Sequence, residues 1–207
     1  MTTIYVFRHA QANGNREKRF QGSIEQPLSE LGLQQLEYLA DYCGTLPLEK
    51  VYTSPLGRAK QTAQAIARTR TLPVEVLDEL REIDGGLWEN CTWDEIEAKW
   101  PEEYQNWMHG ACSYQAPGGE CMRHVYERAA ASLRRIEAEN PGGTVAIASH
   151  GCVVRNILAF CMGGLEQFEA LSWQNNTGLS ILTMENGKPH LVTNNENGWL
   201  PEAFKTV

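Results

Sequence analysis

Three apolar runs in this chain stop at residues that can handle phosphate. Ile4-Tyr5-Val6-Phe7 ends in Arg8-His9, and Val145-Ala146-Ile147-Ala148 ends in Ser149-His150-Gly151. Between them, Val51-Tyr52-Thr53 runs into Ser54-Pro55-Leu56-Gly57-Arg58-Ala59. Each run reads as a strand, and in an open α/β sheet ligands bind beyond strand ends. Two imidazoles and two guanidiniums meeting there predict a small, strongly cationic pocket. Its natural ligand is a phosphate, which a guanidinium grips through paired charge-assisted hydrogen bonds.

The elements that must position these residues follow from periodicity and punctuation. Strands are predicted at residues 4–8, 51–53, 74–77 and 144–149, with late strands at 177–184 and 190–193 joined by the hairpin signal Asn186-Gly187. Ser29 is a good N-cap for a helix with Leu33, Leu36, Leu39 and Ala40 on its apolar face. A second helix starts at Pro55, a long one runs over 122–139 up to Asn140-Pro141-Gly142-Gly143, and another covers 152–162. The order predicts a three-layer α/β/α sandwich around a mostly parallel central sheet. The stretch 88–117 stands apart, with Trp88, Trp93, Trp100, Tyr104, Trp107 and Tyr114 and a break at Pro101. It reads as a helical insertion lying over the active site, and residues 1–207 as a single domain carrying it. Its aromatic residues serve packing first, with one or two free to wall a pocket.

Bulk composition narrows the class. With 42% hydrophobic and 21% charged residues, the 207-residue chain has the content of an ordinary globular domain. A net charge of -8 argues against nucleic acid as a partner. No stretch approaches a membrane span and the N-terminus does not read as a signal peptide, so the expected location is the cytoplasm. The six cysteines show no C-x-x-C or zinc-type spacing and read as reduced thiols. Cys152, next to His150-Gly151, is the only one placed to be weighed as a nucleophile. His109, His124 and His190 match no motif and read as surface or packing residues.

Taken in order, the motifs resemble the histidine phosphatase superfamily, also called phosphoglycerate mutase-like. The likeness rests on Arg8-His9-Ala10, Asn15, Arg19-Phe20-Gln21-Gly22, Pro27-Leu28-Ser29, Ser54 to Ala59, Leu80-Arg81-Glu82-Ile83-Asp84, Pro117-Gly118-Gly119-Glu120 and Ser149-His150-Gly151. The resemblance implies that His9 is a nucleophile forming a phosphohistidine, with Arg8, Arg58 and His150 as cationic donors and Asn15 as a neutral one. It implies that Glu82, rather than neighbouring Glu79, Asp84 or Glu89, protonates the leaving group, which needs a carboxyl group that holds a proton near neutrality. Gln21 and Gly22 either contact substrate or only shape the loop; Gly151 is a further substrate contact. No metal and no organic cofactor is required.

Some positions depart from the family pattern. Ala10 replaces the usual Gly, Gln11 stands where Glu is frequent, and Ala12 replaces Ser or Thr, so one hydroxyl donor to phosphate is missing. The family's mutases carry a basic insertion, whereas residues 89–117 here hold Asp94, Glu95, Glu97, Glu102 and Glu103. The resemblance therefore favours a phosphomonoester hydrolase acting on a small phosphorylated metabolite, with phosphoserine as the leaning. A phosphoglycerate mutase, an α-ribazole or sugar phosphate phosphatase, or a non-catalytic phosphate-binding module are the alternatives. The acidic insertion and the tail from Trp199 to Val207 are expected at the pocket mouth. A homodimer is the oligomeric partner state compatible with this reading.

Overall fold

The computed structural model describes residues 1–207. Strands β1 (Thr2–Arg8), β2 (Lys50–Thr53), β3 (Val74–Val76), β4 (Thr144–Ser149), β5 (Leu179–Glu185) and β6 (Lys188–Glu196) form one sheet in the order β3-β2-β4-β1-β5-β6. The pairs β2–β3, β2–β4 and β1–β4 are parallel, and β1–β5 and β5–β6 antiparallel. The sheet is thus mostly parallel, as predicted, with an antiparallel edge. The tight Asn186-Gly187 turn, where both residues have positive φ (53° and 74°), accounts for the antiparallel β5–β6 pair, because a two-residue hairpin can only return antiparallel.

Side-chain alternation along the strands separates two apolar layers. Ile4, Val6, Val145 and Ile147 pack with helices α6 (Met122–Glu139) and α7 (Gly151–Cys161). Phe7, Val51, Ala146 and Ala148 face the other way, onto α2 (Glu30–Gly44) and α3 (Gly57–Arg68). Ser29 caps α2 as expected, its hydroxyl accepting from Gly32 N at 3.0 Å. The helix after β2 begins at Gly57, two residues later than predicted, because Ser54 Oγ accepts from Leu56 N and holds the chain in a turn first. In α6, Val125, Ala129, Leu133 and Ile136 recur at helical spacing and are buried. Truncating Leu133 to Ala would cost about 2–5 kcal/mol.

The insertion folds as two short helices, α4 (Trp93–Lys99) and α5 (Pro101–Gly110). Thr92 caps the first, and Pro101 opens the second where its missing N–H costs nothing. Its aromatic side chains mostly pack: Phe20 meets Trp88, Trp93 and Trp107 edge-on at 5.5–5.9 Å. No helix is long and apolar enough to cross a membrane.

Candidate active site

Strand register creates the site. Arg8 on β1 lies opposite Ser149 on β4, and Thr53 on β2 lies opposite Ala148. The residues that follow each strand, His9, His150 and Ser54, therefore converge at one sheet end. The rings of His9 and His150 are 5.2 Å apart, centroid to centroid. His150 Nε2 is 2.7 Å from Ser54 Oγ. A cavity of about 340 Å³ opens beside them, lined by Arg8, His9, Asn15, Gln21, Gly22, Arg58, Glu82 and Gly151 among others. Every predicted site residue except His150 is on that lining.

His9 is 2% exposed, and its Nδ1 lies 2.7 Å from the Ala10 carbonyl oxygen. A carbonyl can only accept, so Nδ1 carries the proton and Nε2 keeps its lone pair. Burial, with the charges of Arg58 and Arg8, holds His9 well below the ordinary 6.5, so the ring is neutral at pH 7. Its backbone is fixed too, by Asn176 Nδ2 donating to His9 O at 3.0 Å.

The two arginines are buried and braced from behind. Arg58 donates to the carbonyls of Ile24 and Gly22, both at 2.7 Å. Arg8 donates to the Gln174 carbonyl. The Nε atoms of both have no partner, leaving charged donors for an anion's oxygens. Burial lowers Arg58 to about 10, still fully charged at neutral pH. Gly22 earns its place through conformation, with φ at +55° and space for a Cβ blocked by Glu89 Oε1 at 2.3 Å. It both lines the cavity and, through its carbonyl, anchors Arg58.

His150 departs from expectation. Burial comes first, with Arg58 and His9 adding to it, and its pKa lies well below 6.5. The ring is neutral, so the positive charge of the pocket comes from guanidinium groups and Lys18, and the imidazoles contribute none. Asn15 Oδ1 accepts from Ala12 N at 3.0 Å, which leaves the amide NH₂ as the donor available to a ligand beside the position where the hydroxyl is missing. Gly151 opens α7, where first-turn amides lack intrahelical acceptors. A Cβ there would come within 3.2 Å of Trp173.

Both oxygens of Glu82 accept backbone hydrogen bonds, Oε1 from Ile83 N at 3.0 Å and Oε2 from Cys152 N at 3.1 Å. The rivals are occupied elsewhere. Glu89 Oε1 accepts from Ser23 N, Ser23 Oγ and Gly85 N, and Asp84 Oδ1 from Gly86 N. Neither of these, nor Glu79, is on the lining. Cys152 lines the cavity, but burial and the Glu82 charge push its thiol well above 9.0, so it has no thiolate at neutral pH. No three His, Cys, Asp or Glu side chains are grouped to hold a metal ion.

The mouth differs from expectation as well. Of the insertion, Trp93 reaches the lining, and none of its acidic residues does. They lie on outward helix faces, with Asp94 and Glu95 in the first turn of α4 and Glu102 and Glu103 in that of α5, where the helix dipole favours them. Of the tail, only Val207 reaches the lining; Trp199 stacks on Tyr42 at 4.2 Å instead. Sequence reasoning passed over Arg128, Trp173 and Lys18. Arg128 clamps Glu120 with two bonds of 3.0 and 2.9 Å and donates to the carbonyls of Glu79 and Arg81, bracing the segment that carries Glu82. In the sequence it is one more charge on an amphipathic helix, with no local signal.

Residues 4–197 match the family model described as histidine phosphatase superfamily (branch 1), and the chain belongs to that family. It is 31% identical over 186 residues to phosphoserine phosphatase 1 of Hydrogenobacter thermophilus, covering 89% of this chain and 88% of that one. It is 32% identical over 166 residues to a probable phosphoglycerate mutase GpmB of Cronobacter sakazakii, with 76% and 75% covered. Among solved structures, YhfR of Bacillus stearothermophilus superposes with a TM-score of 0.89 at 30% identity, covering 96% of this chain and 99% of that one.

Proposed function

We propose that this chain is a metal-independent phosphomonoester hydrolase in which His9 is the nucleophile, Arg8, Arg58 and Asn15 hold the phosphoryl group, and Glu82 handles the proton. The observation that carries the assignment is the tautomer of His9: Nδ1–H is tied to Ala10 O, and Nε2 is bare in a cavity with two buried guanidiniums.

The steps follow from that arrangement. Nε2 attacks phosphorus and the bond to the ester oxygen breaks, while Glu82 gives that oxygen its proton. Arg8 and Arg58 face the charge on the equatorial oxygens and need no reorganisation, since backbone carbonyls already fix them. Water then attacks the phosphohistidine, ionised Glu82 takes its proton, and phosphate and neutral His9 are released. His150, neutral and bonded to Ser54, packs against the nucleophile and keeps its neighbourhood free of a further charge.

The substrate we favour is a small phosphorylated metabolite, phosphoserine first, supported by the relative named above. A mutase reading draws support from the second relative, but a mutase must also anchor a bisphosphate, and the insertion supplies no cation to the lining. A coupled assay for interconversion of the phosphoglycerates separates the two: phosphate release without mutase flux supports the hydrolase, and efficient bisphosphate-primed flux reverses the order. A binding module would show neither. We extend the proposal to one domain over 1–207 and to a cytoplasmic enzyme; sedimentation at assay concentration distinguishes monomer from homodimer.

A further inference from the structure

Four cations line the cavity: Arg8, Lys18, Arg19 and Arg58. Three are engaged. Arg8 and Arg58 donate to backbone carbonyls. Arg19 pairs with Glu17 at 3.0 Å, lies 3.5 Å from Glu95 and donates to the Asn90 carbonyl. Lys18 has no ion-pair partner and no hydrogen-bond acceptor, although Glu17 is its neighbour, because Glu17 is held by Arg16 and Arg19.

The backbone makes lysine a costly choice here. The short helix α1 (Asn13–Arg16) ends in a turn in which Lys18 N donates to Asn15 O at 3.1 Å and Arg19 N to Gly14 O at 2.8 Å. Lys18 has φ at +53° in that turn, the left-handed region where glycine is at ease and a Cβ is not. Neither an ion pair nor a side-chain hydrogen bond within the folded chain compensates for it. A local rule broken without return in the fold is the mark of a residue kept for a site.

Charge balance indicates what it binds. A phosphate monoester brings two negative charges, which meet the buried pair Arg8 and Arg58. Lys18 adds one more positive charge at the exposed rim of the same cavity, on a chain of net charge -8 whose acidic insertion stays off the lining. One compact ammonium matches a single carboxylate; a second phosphate would bring twice that charge. We propose that Lys18 is a specificity residue that binds a carboxylate on the leaving group, so that the preferred substrates are small phosphate esters of hydroxy acids. The proposal rests on the hydrolase reading above for its orientation, since the leaving group must face away from the arginines.

The test uses substrate pairs that differ at the carboxylate: phosphoserine with phosphoethanolamine, and 3-phosphoglycerate with glycerol 3-phosphate. In the wild type, kcat/KM should favour the carboxylated member of each pair by about tenfold to a hundredfold, the size of one charge-assisted contact. Lys18→Gly should bring that ratio close to one, and Lys18→Arg should retain most of it. Lys18→Gly also relieves the left-handed strain, so its Tm should equal or exceed that of the wild type, which removes misfolding as an explanation. An unchanged ratio in Lys18→Gly, or no carboxylate preference in the wild type, overturns the assignment. The same ratio read as Kd by calorimetry on His9→Ala needs no turnover. A carboxylate preference there, in a protein whose wild type fails to hydrolyse p-nitrophenyl phosphate, would keep Lys18 and discard the hydrolase.

Discussion

The Nδ1 atom of His9 sits 2.7 Å from the carbonyl oxygen of Ala10, its own neighbour in the chain. This one contact sets the tautomer and aims the lone pair of Nε2, and it tolerates Ala10 in place of the family's usual Gly because residue 10 contributes only its backbone carbonyl. His9→Ala should therefore abolish phosphate release, by about a thousandfold or more, while leaving the fold intact. An alkaline quench of wild type with labelled substrate should trap a phosphohistidine. Turnover should persist in EDTA. Near-normal activity of His9→Ala would end the nucleophile assignment.

Glu82 is expected to matter in proportion to the basicity of the leaving group. Glu82→Gln should slow hydrolysis of serine or glycerol phosphates by about a hundredfold or more and that of p-nitrophenyl phosphate far less, since p-nitrophenolate leaves without a proton. Equal losses on both substrates would remove Glu82 from the acid role.

Arg128 should act on the same step from a distance. Arg128→Met leaves Glu120 and the carbonyls of Glu79 and Arg81 without their donor, in a site about one-fifth exposed. A loss of about 1–3 kcal/mol in urea unfolding is expected. A purely structural brace would lower all rates together; a positioning role predicts a kcat loss that is larger for poor leaving groups than for p-nitrophenyl phosphate.

The buried histidines give stability a sign with pH. His9 and His150 are both held well below 6.5. Below about pH 6.5 the unfolded chain takes up protons that the native state refuses, so this stabilisation is present above that pH and is lost as the pH falls. Each histidine contributes a slope of up to about 1.4 kcal/mol per pH unit. Urea melts between about pH 7.5 and 5.5 should be shallower in pH dependence for His150→Asn than for wild type, by roughly one proton. Parallel slopes would show that His150 is not held neutral.

Gly22→Ala tests the loop. With φ at +55° and Glu89 in the way of a Cβ, the variant should lose about 1–3 kcal/mol of stability. Because Gly22 O accepts from Arg58, inorganic phosphate should also inhibit it less tightly than wild type, which a Ki measurement reads directly.

Much of the fold was legible because local chemistry and global structure agree. Ser29 is a cap in both sequence and structure, Asn186-Gly187 turns a hairpin, and the long helix occupies Met122–Glu139 as its periodicity predicts. Of the catalytic-motif residues, His9 and His150 were legible as strand-end residues, since β1 and β4 stop beside them, whereas Arg58 rides on α3 and Glu82 on the loop after Leu80. Charge state was not. His150 reads as a cation from its type, yet burial beside Arg58 makes it neutral, and desolvation is a property of the packed interior alone. The pocket mouth was equally out of reach. Helical periodicity turns Asp94 and Glu102 away from the cavity, while chain reversal after α1 brings Lys18 to it. Sequence by itself determined which side chains could do the chemistry and on which elements they ride; only the tertiary structure decided their protonation, their bracing and which charges face the substrate, because all three depend on neighbours distant in the chain.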